Sequence, residues 1–441
     1  MGTALKEGFV AERITAVKGM NDLLPEQMGA WHRIEDAARA TFARFGFGEV
    51  RTPILEKTSL FVRGVGQETD IVGKEMYTFE DRGGEAKAGT LVSLRPEGTA
   101  PAVRAAIEHN VFGQDPVQRW YYLGPMFRRE RPQKGRYRQF YQVGAEIYGA
   151  ASPHADAELV DAGHAFLSGL DIGEITLEIN SLGDEACRPS YVEALVGYLK
   201  SRAPDLCPEC QRRLETNPLR VLDCKNQNCK RVTAEAPSVE AFLCAPCREH
   251  FATLLGLLDG LGIKYVVNSR IVRGLDYYTR TVFEFVSHLQ GEGGLGSQNT
   301  VCAGGRYDRL VKNLGGPDVP AVGFAAGIDR LAILAAKNAW RPRPPDLFLV
   351  ALGDEARKRV LLLASELRRK GAFVDQDLRG GGLKAQMRRA DKSGAVFTLV
   401  LGESELASGT ARLKRMATGE EREVALTSLH DELAAGPGLS V

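Results

Sequence analysis

The stretch QRWYYLGPMFRRERPQKGRYRQFYQVGAEIYG, residues 118–149, is the most informative segment for predicting the fold. Two apolar segments flank a loop that contains Pro132 and Gly135, a pattern that predicts a long β-hairpin. Because side chains alternate along a strand, residues 141, 143, 145 and 147 share one face of the second strand, and residues 138, 140, 142, 144, 146 and 148 share the other. We expect the first face to lie in the core and the second to be polar.

The loop of this hairpin is strongly basic. It sets six cations against a single acid, Glu130: Arg128, Arg129, Arg131, Lys134, Arg136 and Arg138. This charge density suits phosphate groups, although a solvated loop on an edge hairpin is an alternative interpretation. Gly144 stands between Gln142 and Glu146, with Phe140 in register. These residues favour a binding face on which a small polar ligand occupies the space above the glycine.

Three regions follow one another along the chain. Strand-like and helical segments mix up to about residue 186 and again after residue 262, which predicts an α+β domain with an antiparallel sheet. A helical, cysteine-rich insertion over about residues 186–262 interrupts this domain. The proline-rich segment WRPRPPD, residues 340–346, predicts a boundary, and strands alternate with helices beyond it, as in a small α/β domain. We therefore expect one domain over 1–340, a linker over 341–345 and a second domain over 346–441.

Composition excludes some classes of protein. The 441 residues carry a net charge of +1 and an ordinary balance of apolar and charged residues, as a globular protein does. No run of about 18 apolar residues is present to span a membrane. The N-terminal residues lack the apolar stretch and cleavage site of a secretory signal. We therefore expect a cytoplasmic protein without a membrane partner.

Residues 127–149 resemble the second signature motif of the class II aminoacyl-tRNA synthetases, in the form found in the histidyl-tRNA synthetase family. The likeness extends through KGMNDLLPEQ (18–27), GFGEVRTPILE (46–56), LRPEGTAPAVRA (94–105), RGLDYYTRTVFEF (273–285), CAGGRYDRL (302–310) and AAGIDRLAIL (325–334). Residues 46–56 are similar to the first class II motif, and residues 325–334 to the third. The resemblance implies a class II catalytic domain, a helical insertion, a C-terminal α/β anticodon-binding domain and a homodimer, with Pro53 near its interface.

The resemblance also implies a reaction. L-histidine and ATP, with Mg²⁺, form histidyl-adenylate and pyrophosphate, and histidine then passes to the 3′ end of tRNA(His). The first step needs no enzyme base, because the carboxylate of histidine is ionised at neutral pH. Alignment and charge stabilisation carry such a step. In the transfer step, we expect the phosphate of the adenylate to accept the proton of the ribose hydroxyl.

By the same resemblance, ATP contacts fall on matching residues of this chain. Arg128 is implied at the α-phosphate and Arg330 at the γ-phosphate, with Glu130 and Phe140 also in the ATP site. Arg273 is implied near the α-phosphate and the substrate carboxylate, so Arg128, Arg273 and Arg330 are the implied catalytic residues. Taken alone, Arg330 in the first turn of a helix also fits a surface arginine, although free backbone N–H groups there favour anions.

A histidine pocket is implied as well. The family pattern carries over to Glu97, Thr99 and Gln142 around the α-amino group, to Glu146 and Tyr278 at the imidazole, and to Tyr307 in the lining. Tyr277 and Arg273 join them as histidine-binding residues. Carboxylate and phenol groups suit an imidazole, which when neutral has one donor and one acceptor nitrogen. Thr99 also fits the N-cap of a helix, and Gly304 and Gly305 are expected to permit close packing on the substrate.

Two basic segments are candidates for contact with tRNA. In the hairpin loop, Arg131, Lys134 and Arg136 are expected to meet its acceptor end. In the C-terminal domain the most basic patch consists of Arg379, Lys384, Arg388, Arg389 and Lys392.

The insertion contains three cysteine pairs: Cys207 with Cys210, Cys224 with Cys229, and Cys244 with Cys247. In a cytoplasmic protein such pairs indicate metal more readily than disulfides. The two C-x₂-C pairs, Cys207, Cys210, Cys244 and Cys247, form a candidate structural zinc site, and the third pair competes for the role. The family resemblance lends no support to zinc. Cys187 and Cys302 are expected to be plain buried thiols.

Other interpretations are disfavoured by specific segments. A synthetase-like regulatory subunit of ATP phosphoribosyltransferase shares the implied fold but charges no tRNA, and both RGLDYYT and the C-terminal domain argue against it. RGLDYY also argues against a class II enzyme for proline or threonine. The G-x-G-x-x-G pattern over residues 291–296 lacks a following helix, so it predicts a loop rather than a dinucleotide site.

Overall fold

The computed structural model describes residues 13–66, 69–81, 89–291, 293–296, 298–335 and 343–434. The first two residues of the expected linker, 341 and 342, lie outside the described residues. The chain divides into two compact units, Met1–Trp340 and Arg341–Val441. Among the described residues, no helix has both the length and the apolar character that crossing a membrane requires.

Two sheets organise the first unit. Its strands are β1 (Gly48–Glu49), β2 (Leu55–Lys57), β3 (Tyr77–Glu80), β4 (Leu91–Leu94), β5 (Gln118–Phe127), β6 (Gln139–Tyr148), β7 (Ile175–Ser181), β8 (Tyr265–Val267), β9 (Thr279–Ser287), β10 (Thr300–Arg306) and β11 (Ala321–Gly327). The large sheet has the order β1-β5-β6-β11-β10-β9-β7-β8, and the small one β2-β4-β3. Neighbouring strands of the large sheet are antiparallel except β1 with β5 and β7 with β8. The expected α+β class with an antiparallel sheet is confirmed.

Helices cover the large sheet and build the insertion. They are α1 (Pro25–Arg44), α2 (Thr58–Val65), α3 (Thr99–Glu108), α4 (Val111–Gln114), α5 (Pro153–Ser168), α6 (Arg188–Lys200), α7 (Pro208–Thr216), α8 (Gln227–Val232), α9 (Ala245–Gly260), α10 (Leu310–Asn313) and α11 (Ile328–Ala335). Short turns add a π-helix at Ile71–Glu75 and 3₁₀-helices at Ala203–Asp205, Pro218–Val221, Thr233–Glu235 and Val239–Phe242. The insertion is α6 to α9, which lie between β7 and β8 without a strand.

The expected hairpin is β5 with β6, paired from Gln118 opposite Tyr148 to Phe127 opposite Gln139. The face of β6 that carries residues 141, 143, 145 and 147 packs into a core formed with α1, α5, α9 and α11, as predicted. The opposite face is polar but not solvated, since Gly144, Glu146 and Tyr148 are also buried. This second face therefore belongs to an interior site.

The second unit is an α/β domain, as expected. Its elements are β12 (Leu347–Ala351), α12 (Asp354–Arg369), β13 (Val374–Gln376), α13 (Leu383–Ser393), β14 (Phe397–Leu401), α14 (Glu403–Ser408), β15 (Thr410–Arg415), β16 (Glu421–Ala425) and α15 (Leu429–Ala434). The sheet order is β13-β12-β14-β15-β16, parallel at β12 and antiparallel at β15 and β16.

Candidate active site

A cavity of about 620 Å³ opens in the first unit. Eleven residues that the sequence singled out line it: Glu97, Thr99, Arg128, Glu130, Arg136, Phe140, Gln142, Arg273, Tyr277, Tyr278 and Arg330. These residues come from α3 and the turn before it, the β5–β6 hairpin, the segment that precedes β9, and α11, so distant segments of the chain meet at one place. Four other predicted residues are outside the lining: Glu146, Tyr307, Arg131 and Lys134.

Arg128 follows β5 directly and is fixed by the hairpin. Its backbone N–H donates to the Arg138 carbonyl over 2.9 Å, and its Nε donates to the Pro96 carbonyl over 2.9 Å. The guanidinium lies over the Phe140 ring, 5.2 Å from its centre. Burial lowers the pKa of Arg128 from its ordinary value. The residue is thus a held, partly desolvated cation at the cavity wall.

Further cations crowd the same wall. Arg330, in the first turn of α11, donates to the carbonyls of Gly135 (2.9 Å) and Thr300 (2.6 Å). Burial, and then repulsion from Arg136 and Arg128, lowers the pKa of Arg330 to about 10. Mutual repulsion of this kind marks a place where an anion is stabilised.

Glu130 is the acid embedded among these arginines. Its side chain is 6% exposed and pairs with Arg136 and, over 3.7 Å, with Arg128. One carboxylate therefore holds two arginines in place. The cluster keeps a net positive charge, because Arg330 adds a third arginine.

Arg273 lies on the wall that carries Glu284 and Tyr278. Its guanidinium pairs with the Glu284 carboxylate over 2.6 Å and stacks on the Tyr278 ring at 5.3 Å. Burial alone lowers the pKa of Arg273, but Tyr278 and Glu284 outweigh it and raise the pKa above its ordinary value. Arg273 therefore stays charged inside the cavity.

Glu97 caps the helix that follows it. Its carboxylate accepts the backbone N–H groups of Thr99 (2.7 Å) and Ala100 (2.9 Å) at the start of α3. The expectation that Thr99 is the N-cap was wrong, because α3 begins at Thr99 and its free N–H groups are satisfied by the preceding glutamate. Burial raises the pKa of Glu97, against these two bonds.

Behind Thr99 lies a buried cluster of hydroxyl groups around Glu146. Thr99 Oγ1 and Tyr122 Oη donate to Glu146 Oε1 over 2.9 and 3.1 Å, and Tyr307 Oη donates to Oε2. Burial raises the pKa of Glu146 to about 8, although these bonds lower it. The cluster also needs Gly323, where a Cβ atom would clash with Glu146 Oε2.

Glycines near the site have other partners than a ligand. A Cβ at Gly144 would clash with the Tyr122 ring, so the space above Gly144 is occupied by protein and the expected ligand does not fit there. Gly304 lies against the backbone of β11, and Gly305 against β9 and Tyr278. Their small size serves packing within the sheet, which corrects the expected packing on substrate.

Gln142 is the polar group of β6 that remains open toward the cavity. Within the described part of the chain, its buried Oε1 has no hydrogen-bond partner. Leaving a buried acceptor unpaired costs stability, so this oxygen is suited to a donor on a ligand. An ammonium group is such a donor.

The hairpin loop divides into inward and outward residues. Arg136 lines the cavity, whereas Arg131 and Lys134 are exposed beyond it. Gln133 and Arg136 pair across the tip of the loop. In the second unit, Arg379, Lys384, Arg388 and Lys392 are exposed, but Arg389 binds Asp377 and the Gly380 carbonyl.

Several residues of the site or of the cluster behind it were not predicted from the sequence. Tyr122 stands opposite Gly144 in the hairpin, so the pairing register could have revealed it. Glu284 is an acid within the otherwise apolar strand TVFEFV, which is an available signal. Arg213, Arg220, Asp223 and Lys225 come from the insertion, and no pattern in the sequence connects them to the cavity.

The cysteines group differently from the prediction. Cys207 and Cys210 join Cys224 and Cys229, whereas Cys244 and Cys247 join Asp184 and Cys187. The proposed ligand set of Cys207, Cys210, Cys244 and Cys247 was therefore wrong, because its two pairs belong to separate clusters. Cys187 is buried as expected but is part of the second cluster, and Cys302 is a buried thiol of the core.

Comparison with known proteins agrees with this geometry. The model of the family described as histidyl-tRNA synthetase matches residues 19–331. The chain belongs to the histidyl-tRNA synthetase family. A model of the anticodon-binding domain matches residues 346–435.

Relatives within the family match almost end to end. A histidine–tRNA ligase of Geobacter sulfurreducens is 50% identical over 422 residues, 96% of this chain and 99% of the relative. That of Geobacter metallireducens is 51% identical over 413 residues, 94% and 97% of the two chains. The apo structure of Staphylococcus aureus histidyl-tRNA synthetase is 35% identical with a TM-score of 0.77, covering 96% of this chain and 100% of its own. These matches confirm the expected class II fold and favour the ligase over the regulatory subunit.

Proposed function

We propose that this chain is a histidine–tRNA ligase, which activates histidine with ATP and transfers it to the 3′ end of tRNA(His). The observation that carries this proposal is a single cavity lined both by Arg128, Arg273 and Arg330 and by the unpartnered oxygen of Gln142. The arginines suit a triphosphate, and the oxygen suits the ammonium group of an amino acid. ATP is the nucleotide that class II synthetases use.

Activation is a displacement at the α-phosphorus. A carboxylate oxygen of histidine forms a bond to this phosphorus, the bond to the bridging oxygen of the β-phosphate breaks, and pyrophosphate leaves. Arg128 and Arg273 stabilise the charge that spreads over the α-phosphate oxygens, and Arg330 holds the γ-phosphate. The fixed guanidinium of Arg128 supports this role, because a preorganised donor needs little rearrangement during the reaction.

Histidine is recognised by groups that line the same cavity and by groups directly behind its lining. Gln142, Glu97 and Thr99 receive the ammonium group, while Tyr278 and Glu146 recognise the imidazole beside Tyr277 and Tyr307. The contact of Glu146 with imidazole stays a prediction. In this structure the Thr99 hydroxyl donates to Glu146, which lies behind the lining.

Magnesium would offset the negative charge of the ATP phosphates here. Glu130 and Glu284 are lining carboxylates, and each already pairs with arginine. Among the described residues, no group of three acids converges here as a ready cage. The set fits Mg²⁺ that keeps water and phosphate ligands and takes one or two carboxylate oxygens.

Transfer brings tRNA to the same cavity. A ribose hydroxyl attacks the carbonyl carbon of the adenylate, AMP leaves, and the phosphate accepts the proton. Arg131, Lys134 and Arg136 meet the acceptor end, and the exposed basic residues of α13 contact the anticodon region.

Residues 1–340 form the catalytic domain with its insertion over about 186–262. Residues 341–345 are the linker, and 346–441 the anticodon-binding domain of a cytoplasmic homodimer.

A charging assay tests this proposal. The purified chain, supplied with histidine, ATP, Mg²⁺ and a tRNA(His) transcript, is expected to form histidyl-tRNA and AMP. A regulatory subunit would form neither. Gel filtration that gave only a monomer would contradict the dimer.

A further inference from the structure

Four cysteines of the insertion converge on one point. The sulfur atoms of Cys207, Cys210, Cys224 and Cys229 all lie within 4.8 Å of one another, and those of Cys207 and Cys224 are 3.9 Å apart. Cys210 and Cys229 are fully buried, while Cys207 and Cys224 are partly buried. All four are free thiols.

The spacing of these sulfur atoms is that of a metal site. Four thiolates around zinc at about 2.3 Å stand about 3.8 Å apart along each edge of the tetrahedron. The separation of 3.9 Å between Cys207 and Cys224 is close to this edge, whereas a disulfide would bring two sulfurs to about 2.05 Å. We propose that Cys207, Cys210, Cys224 and Cys229 bind one structural zinc ion.

Short helical elements position the four cysteines. Cys207 is the N-cap of α7 and Cys210 lies in the first turn of that helix, so this pair forms a knuckle at a helix N-terminus. Cys224 follows the 3₁₀ turn Pro218–Val221, and Cys229 lies in α8. Helix N-termini favour thiolates, which are the form that binds metal.

The surrounding segment has little regular structure of its own. Between α6 and α9, the longest helix is α7 with nine residues, and the others are single turns or little more. Helices this short are marginal without tertiary support. One ion that joins α7, the turn Pro218–Val221 and α8 would hold them in place, as structural zinc does in small domains.

The second cysteine cluster differs in kind. The thiols of Cys187 and Cys244 donate to Asp184 Oδ1 over 3.5 and 3.8 Å, and Arg280 pairs with Oδ2 over 3.3 Å. Hydrogen bonds and an ion pair thus account for this group, and we assign no metal to it. It supplies a matched control.

The proposed zinc site adjoins one wall of the active-site cavity. Cys224 lies in the lining between Asp223 and Lys225. The same segment carries Arg220, which reaches Asp70 over 3.9 Å and lies so close to Gly274 that a Cβ there would come within 2.8 Å of its guanidinium. Zinc would therefore order cations of the insertion that face the cavity.

Elemental analysis of the full chain, purified under reducing, chelator-free conditions, tests the proposal. Cys207→Ser is compared with Cys244→Ser, because both residues are partly buried N-caps and serine is a favourable N-cap. We expect one zinc per chain in the parent and in Cys244→Ser, and loss of that zinc in Cys207→Ser. Cobalt in place of zinc should give the parent the absorption of a tetrahedral tetrathiolate site, a result that needs no variant to fold.

Three outcomes would overturn the proposal. One is a parent that holds no zinc and binds no cobalt. Another is zinc that stays in Cys207→Ser but is lost from Cys244→Ser. The third is a count of fewer than eight reactive thiols in the denatured, unreduced, metal-stripped parent, because missing thiols would reveal disulfides.

Discussion

Thr99 Oγ1 donates a hydrogen bond of 2.9 Å to Glu146 Oε1 and thereby joins the first residue of α3 to the middle of β6. Thr99 lines the cavity, and Glu146 lies behind it among Thr99, Tyr122 and Tyr307. The bond connects the lining to a buried carboxyl whose protonation responds to pH. Protonation of Glu146 is thus linked to the stability of the site.

Replacing Glu146 by glutamine should flatten the dependence of stability on pH. Burial raises the pKa of Glu146 from 4.5 to about 8, so the folded chain retains a proton that the unfolded chain releases. The contribution to stability is complete below about pH 4.5 and is lost as pH rises to about 8. Urea unfolding at several pH values within this window should show a smaller loss in Glu146→Gln than in the parent. Equal losses in both proteins would contradict the assignment, and Glu108→Gln, at an exposed carboxylate of α3, is the control.

Arg128→Lys should reduce histidine-dependent ATP–pyrophosphate exchange by about 10²- to 10³-fold, the usual effect of losing one preorganised donor. Lysine keeps the charge but loses the planar fork that binds Pro96 and phosphate together. Arg129→Lys, at an exposed neighbour on the same loop, should retain parental activity. Exchange kinetics and melting temperatures would be measured for both variants. Equal activity in the two would remove Arg128 from its proposed role.

Gln142→Ala should raise the KM for histidine by about tenfold or more, because the ammonium group loses a buried acceptor. The KM for ATP should change little. Gln139→Ala is the matched control, since Gln139 lies on the same strand and donates to Tyr141 Oη outside the cavity. Both constants would come from exchange rates with one substrate varied at a time. An equal rise in the two KM values would argue against specific recognition of the amino acid by Gln142.

Alanine at Lys384, Arg388 and Lys392 should weaken tRNA charging and leave ATP–pyrophosphate exchange unchanged. These residues repeat every fourth position on α13 and are exposed, so they form one basic stripe suited to phosphates. We expect the KM for tRNA to rise about tenfold at physiological salt. Arg389 is left intact because it holds Asp377. If Lys358→Ala, at an exposed position of α12, had the same effect, the stripe would have no special role.

Local sequence patterns predict much of the fold. The period-two alternation of residues 139–148 and the turn residues Pro132 and Gly135 predict β5 and β6 because strand geometry and turn preference act over a few residues. The alternating elements from β12 to β14 follow for the same reason. The charged hairpin of β15 and β16 was not predicted. Only one residue of β16 is buried, so the alternation of apolar and polar residues along this strand is weak.

The site was harder to predict wherever it depends on distant pairings. The space above Gly144 is filled by Tyr122 from the neighbouring strand, and the cap of α3 comes from Glu97 rather than Thr99. Likewise, Cys207 and Cys210 lie close to Cys224 and Cys229 rather than to the second C-x₂-C motif, which comes later in the chain. Each outcome is set by tertiary packing, which spacing along the chain does not encode.

Amino-acid-dependent ATP–pyrophosphate exchange, measured with each of the twenty standard amino acids, shows directly whether the chain activates histidine and histidine alone. We expect exchange with histidine and none above background with the other nineteen, because a pocket of buried polar groups rejects side chains that leave them unpaired. Absence of exchange with histidine, from a chain shown to be folded, would contradict this expectation.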